Sequence, residues 1–162
     1  MSEISDAIQS KCLAFGDRII KLNDYLLEQA ACRMFDVRGR KNEFKGRGQQ
    51  HQPSDFRRQP SRVPVHLQSV AALANQLLRS GTSIGANNAE ATNAVSKTDY
   101  RSKSYIALKE ARESLYWIDL LHRNGYIDDK QFQSIYADCE ELVKILVTRC
   151  KKLDEQLKEE KK

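Results

Sequence analysis

The 162-residue sequence predicts an all-α protein, an antiparallel up-down four-helix bundle with a long basic loop between helices 1 and 2. Three observations predict it. Strong helix formers (Ala, Leu, Lys, Glu, Gln and Arg) are plentiful, against three prolines and seven glycines. Apolar residues recur in alternating steps of three and four, the period of a helix face buried against its neighbours. The breaks in that period fall on residues that start or stop helices. A chain of this length forms one domain with a sizeable core. Residues 1–162 are therefore read as one bundle, with 33–66 a basic linker and 151–162 a charged tail expected to fray into solvent.

The first stripe is Ile8, Cys12, Phe15, Ile19, Leu22 and Leu26. It ends where residues 38–64, "RGRKNEFKGRGQQHQPSDFRRQPSRVP", lose all apolar periodicity and hold every proline of the chain. A stretch of that composition is too long for an ordinary bundle loop and is expected to be disordered in isolation. A second stripe runs Leu67, Val70, Ala74, Leu77, Gly81, Ile84, Asn88, Ala91 and Val95. Within it, "RSGTSIGANNAEA" places Gly81 and Gly85 one turn apart among very small side chains. Glycine inside a helix costs about 1 kcal/mol relative to alanine, so the pair implies that something approaches this backbone closely. The nearest candidate is a neighbouring helix. Ser96 with Asp99 marks the start of a third helix, which Gly125 should end as a left-handed C-cap. Asp128 can cap the fourth, whose stripe is Phe132, Ile135, Cys139, Leu142 and Leu146, to about Leu153. Connections 2–3 and 3–4 are only a few residues long, which forces antiparallel neighbours.

Charge is distributed unevenly. The net charge is +5, yet residues 33–66 hold nine Lys or Arg against three acids, a balance of +6, and the rest of the chain comes to −1. Arg38, Arg40, Lys41, Lys45, Arg47, Arg57, Arg58 and Arg62 lie in this segment among Phe35, Phe44, Phe56 and glycines. Arginine interleaved with aromatic rings suits phosphate contacts and base stacking on unpaired RNA. Arg79, Lys97, Arg101, Lys103 and Lys109 are the corresponding candidates on the bundle itself. A solvated loop without a partner is the plainer reading of 33–66.

Other chemistry finds little support. The four cysteines form no C-x-x-C pair and no zinc-type spacing with His51, His66 or His122, and Cys12 and Cys139 fall on core stripes. No run of eighteen apolar residues and no leader pattern appears, which points to a cytoplasmic protein with reduced thiols. No phosphate loop, nucleophile set, metal or cofactor site is recognisable, and no catalytic residue is assigned. Asn87, Glu90, Glu110 and Arg112 are expected to bond to one another across helices 2 and 3, with Glu113 nearby. "SLYWIDLL" places Leu115, Tyr116, Trp117, Ile118, Leu120 and Leu121 around nearly the whole circumference of helix 3. That is more apolar surface than a bundle needs, so Tyr116, Trp117 and Leu120 are read as an oligomer interface.

The combination "LANQLLRSGTSIGANNAEA" with "SKTDYRSKSYIALKEARESLYWIDLL" resembles the four-helix-bundle family named for proteins encoded in intervening sequences of 23S ribosomal RNA. "KCLAFGDRIIKLNDYLL" and "YADCEELVKILVTRCKKL" look like the family's first and fourth helices. The resemblance implies a small cytoplasmic protein that assembles as a five-fold ring, with RNA or other nucleic acid as partner. The accessory proteins of diversity-generating retroelements resemble the same architecture and work beside a reverse transcriptase. Two features depart from the family pattern: Asn88 stands where an apolar residue is usual, and the basic segment 33–66 replaces a short loop. The sequence is thus read as a non-catalytic, oligomeric, RNA-directed protein. The alternative is an adaptor that binds a protein partner, such as a reverse-transcriptase-type enzyme, through the aromatic face of helix 3.

Overall fold

The computed structural model describes the backbone of residues 3–39 and 65–160, and the side chains of 5–31 and 69–160. Four helices account for nearly all of it: α1 (Glu3–Gly39), α2 (Val65–Thr92), α3 (Lys97–Arg123) and α4 (Asp129–Glu159). α2 packs against α1 and α3, α3 packs against α4, and α4 closes back onto α1 through the thinnest of the four interfaces. The core is built from the inward stripes, among them Phe15, Ile19, Leu77, Ile84, Ile118, Leu121, Leu142 and Leu146.

The helix boundaries follow from capping chemistry. Ser96, in extended backbone, accepts from Asp99 N and starts α3. Asp128 and Gln131 form a reciprocal capping box at the start of α4. Gly125 takes φ of +69°, which favours glycine, while its N–H and that of Tyr126 bond back to the carbonyls of His122 and Leu121.

Gly81 is buried at the α1–α2 contact. A Cβ there would stand 2.9 Å from Ile19 Cγ1, and one on Gly85 would lie 3.5 Å from Cys12 Cβ. The small-residue stretch is therefore explained by the close approach of α1. On its other side α2 meets an α3 face that is equally small. Ser104, Ala107, Ala111 and Ser114 are all buried there, and the Ser80 and Ser114 hydroxyls meet at 2.9 Å.

Three expectations are corrected. Val95 does not continue the α2 stripe: the helix stops at Thr92, a turn leads to the Ser96 cap, and Val95 is 93% exposed. The helical part of the chain extends into both segments read as irregular. α1 continues through 33–39 to Gly39, well before the first proline at 53. α4 runs on to Glu159, because Leu153 is still buried and Asp154 and Glu160 find cationic partners on α3.

Candidate nucleic-acid interface

Of the basic residues read as nucleic-acid contacts, Arg40, Lys41, Lys45, Arg47, Arg57, Arg58 and Arg62 lie outside the described residues, as does the side chain of Arg38 in the last turn of α1. The five on the bundle do not form one patch. Lys97 and Arg101 turn toward α4, where Lys97 pairs with Glu160 and Arg101 Nε donates to Asp154 Oδ1 at 2.5 Å. Asp154 also accepts from the Tyr105 hydroxyl at 2.6 Å. These two hydrogen bonds hold its carboxyl below the usual range. Lys103 turns the other way and pairs with Glu90 of α2, which raises its pKa. Arg79 and Lys109 are exposed and make no ion pair with the described residues. Three of the five charges are thus neutralised within the bundle.

The expected bonds among Asn87, Glu90, Glu110 and Arg112 do not form: Glu90 does reach across to α3, but its partner there is Lys103. Asn87 donates to Ser83 O of its own helix at 2.9 Å, and Arg112 is exposed without a bond to the described residues. Glu110 is raised by partial burial and by the neighbouring Glu113, with Arg79 opposing. The interface is too closely packed at its centre for long polar chains, and the small serine pair occupies the position instead.

A polar network that was not assigned from sequence lies at the end of the bundle holding the α1 N-terminus. Asn88 is fully buried. Its amide donates to Gln9 Oε1 of α1 at 2.5 Å, and its carbonyl oxygen accepts from Arg149 Nη1 of α4 at 2.6 Å. The Arg149 guanidinium sits 5.6 Å from the centre of the Tyr100 ring. Its Nη2 is buried and has no hydrogen-bond partner among the described residues. The polar Asn88 on an apolar stripe was the available signal. Its partners come from α1 and α4, and one-dimensional spacing cannot identify them.

The apolar surface on α3 is narrower than the sequence implied. Ile118 and Leu121 are core, and Leu115 and Trp117 pack against it. The Trp117 indole donates to Glu113 at 3.0 Å and meets the Tyr116 ring edge-on at 4.8 Å. Tyr116 itself is 58% exposed, with Ile106 exposed one helix segment earlier. A second apolar surface went unread: Leu13, Ile20 and Leu27, spaced by sevens on the outside of α1, are all exposed.

Among the described residues no cluster of His, Cys, Asp and Glu could hold a metal, and no helix is long and apolar enough to cross a membrane. Burial pushes the Cys12 thiol up to about 11 and the Cys139 thiol up to about 12, as expected for core cysteines. His122 is tied to Asp129 at 2.7 Å and stacked on Phe132.

Fold and site together define a four-helix bundle protein with its positive balance concentrated between α1 and α2. Residues 64–148 match the 23S rRNA-intervening sequence protein family. A solved structure from Bacteroides thetaiotaomicron, a protein of unknown function from the S23 ribosomal protein family, is 32% identical. The alignment covers 91% of this chain and 97% of that one, with a TM-score of 0.65. This chain belongs to the 23S rRNA-intervening sequence protein family. No curated protein matches it.

Proposed function

We propose that this protein is a non-catalytic, oligomeric RNA-binding protein of the cytoplasm, with segment 33–66 as its main RNA contact. The observation that carries the reading is the placement of charge: +6 in that segment and −1 in the remainder, where Lys97, Arg101 and Lys103 are paired with acids. Counterion release from phosphates rewards such a concentrated basic segment. Several weak copies in one assembly gain affinity through effective concentration.

The exposed apolar surfaces support assembly. The α1 and α3 backbones are not neighbours among the described residues, so the two helices occupy opposite corners of the bundle. Leu13, Ile20 and Leu27 on one, and Ile106 and Tyr116 on the other, are two different patches facing apart. Contact between unlike patches is head-to-tail, which forms a ring when the rotation between copies closes, and such closure is what the five-fold ring implied by the family resemblance requires. The adaptor reading has one supporting observation, the exposed Tyr116 beside Trp117 and Leu120. A protein partner that is recovered equally after nuclease treatment would favour it.

The test is a titration of single-stranded RNA at several salt concentrations with wild type, an Arg-to-Ala variant at Arg38, Arg40, Arg57 and Arg58, and a chain lacking 40–62. Four to six phosphate contacts per protomer predict a log–log salt slope of about −3 to −4, flattened in both variants. Wild-type affinity in the deletion would move the site to the bundle. Absence of RNA binding in all three would overturn the reading. Sedimentation at micromolar concentration tests assembly, and a monomer of 18.6 kDa would exclude the ring.

A further inference from the structure

A cleft of about 620 Å³ opens at the bundle end where α1 begins and α4 finishes, along the thin α1–α4 interface. Its charged lining among the described residues is Lys144, Arg149 and Lys152, and none of the described acidic side chains lines it. Ile8, Ile145 and Leu153 supply apolar walls, with the Tyr100 ring at one side. The size falls within the range of about 300–1,000 Å³ that small-molecule sites occupy, and a bare phosphate would leave most of it unfilled.

Arg149 is the informative residue. A half-buried guanidinium ordinarily has a carboxylate partner, because desolvating the charge costs several kcal/mol otherwise. Here its one bonded acceptor among the described residues is the neutral Asn88 amide, itself fixed by Gln9. The remaining Nη2 edge meets no acceptor. Lys144 is partly neutralised by Glu140, one turn back at 2.9 Å, while Lys152 is exposed and without an ion pair to the described residues. A guanidinium held only by a neutral partner, beside a free ammonium, suits a phosphate group.

We propose that this cleft binds a nucleotide, its phosphate on Arg149 and Lys152 and its nucleoside against Ile8, Ile145, Leu153 and Tyr100. The site goes beyond the role assigned to segment 33–66 and does not depend on it. The same chemistry is offered by a free nucleotide and by one unpaired nucleotide of an RNA chain.

Calorimetric titration of the full chain with AMP, with inorganic phosphate and with a single-stranded RNA oligonucleotide tests the proposal in wild type, Lys152→Glu and Arg149→Lys. Lys152 is exposed, so its variant should melt like wild type, and Arg149→Lys retains the charge while losing the planar fork. AMP should bind saturably at or below millimolar concentration, and about tenfold more weakly in either variant, the effect of one charge-assisted hydrogen bond. Parallel weakening of RNA would place a nucleotide of the RNA chain in the cleft, and unchanged RNA binding would assign it to the free nucleotide. No AMP binding to wild type, or equal AMP affinity in Lys152→Glu, overturns the proposal. Phosphate binding as tight as AMP overturns the nucleoside assignment. AMP binding without any RNA binding upholds the cleft and counts only against the RNA role of segment 33–66.

Discussion

α2 and α4 solve the same packing problem in opposite ways. α2 meets its neighbours through small groups: Gly81 under Ile19, Ser80 against Ser114, Ala74 and Ala91 in the core. Close backbone approach does the stabilising there, through dense dispersion contacts that tolerate little change in volume. α4 presents larger aliphatic residues inward and ties its edges down with long charged side chains. Arg18 reaches Asp138 and Ser134, Lys11 reaches Glu141, Arg101 reaches Asp154, and Lys97 reaches Glu160. Such contacts leave room between helices, and the cleft lies where α4 meets α1. The α2 side should therefore break by volume and the α4 side by charge, with very different magnitudes.

The largest effect belongs to α2. Gly81→Leu forces a side chain into the space of Ile19, whose Cγ1 already lies 2.9 Å from a Cβ at that position. The expected cost is about 3 kcal/mol, at the upper end for overpacking. Chemical denaturation measures it, and an unchanged midpoint would show that α1 does not approach α2 so closely.

Much of this side was legible in the sequence. The three-and-four steps from Ile8 to Leu26 and from Val70 to Ala91 matched the buried faces, and Gly81 announced a close approach. Caps at Ser96, Gly125 and Asp128 were readable because they use local hydrogen bonds between residues a few positions apart. What depends on partners distant in sequence was not readable. Asp154 and Glu160 looked like a fraying tail because their cations lie on α3. Asn88 marked a polar site without revealing Gln9 and Arg149. Leu13, Ile20 and Leu27 escaped notice because a second stripe on a helix resembles scatter until the first is known to be buried.

Asn88 joins the two sides, and its removal gives the next largest effect. Asn88→Leu deprives Arg149 and Gln9 of their shared partner and should cost about 2 kcal/mol, the range for stranding a buried polar group. Replacing Arg149 with Leu as well removes the stranded charge, so the double variant should regain most of that loss. Thermal melts of the two single variants and the double variant measure the coupling. Strictly additive losses would mean that the Asn88–Arg149 bond contributes nothing of its own.

On the α3–α4 edge the effect should be smaller and dependent on pH. Hydrogen bonds from Tyr105 and Arg101 lower the Asp154 pKa in the folded chain. A depressed carboxylate contributes stability above its unfolded value of about 3.9 and loses it as pH falls through the lower folded value. Wild type should therefore lose stability between about pH 4 and the folded pKa more steeply than Asp154→Asn. Equal acid slopes in the two proteins would show that Asp154 is not held by these bonds.

The smallest effect is expected at the α1–α4 seam itself. Lys11 Nζ lies 2.9 Å from Glu141 Oε1, yet the two side chains are 47% and 56% exposed. At such exposure the attraction is screened by water and offset by the entropy of ordering two flexible chains, leaving about 0–1 kcal/mol. A double-mutant cycle with Lys11→Ala and Glu141→Ala should give a coupling below about 0.5 kcal/mol that fades with added salt. A coupling several times larger, insensitive to salt, would require a dry and tightly closed seam. Such a seam would leave no room for an anion to enter beside Arg149. The same measurement therefore tests whether α4 is attached loosely enough for its cleft to be a binding site.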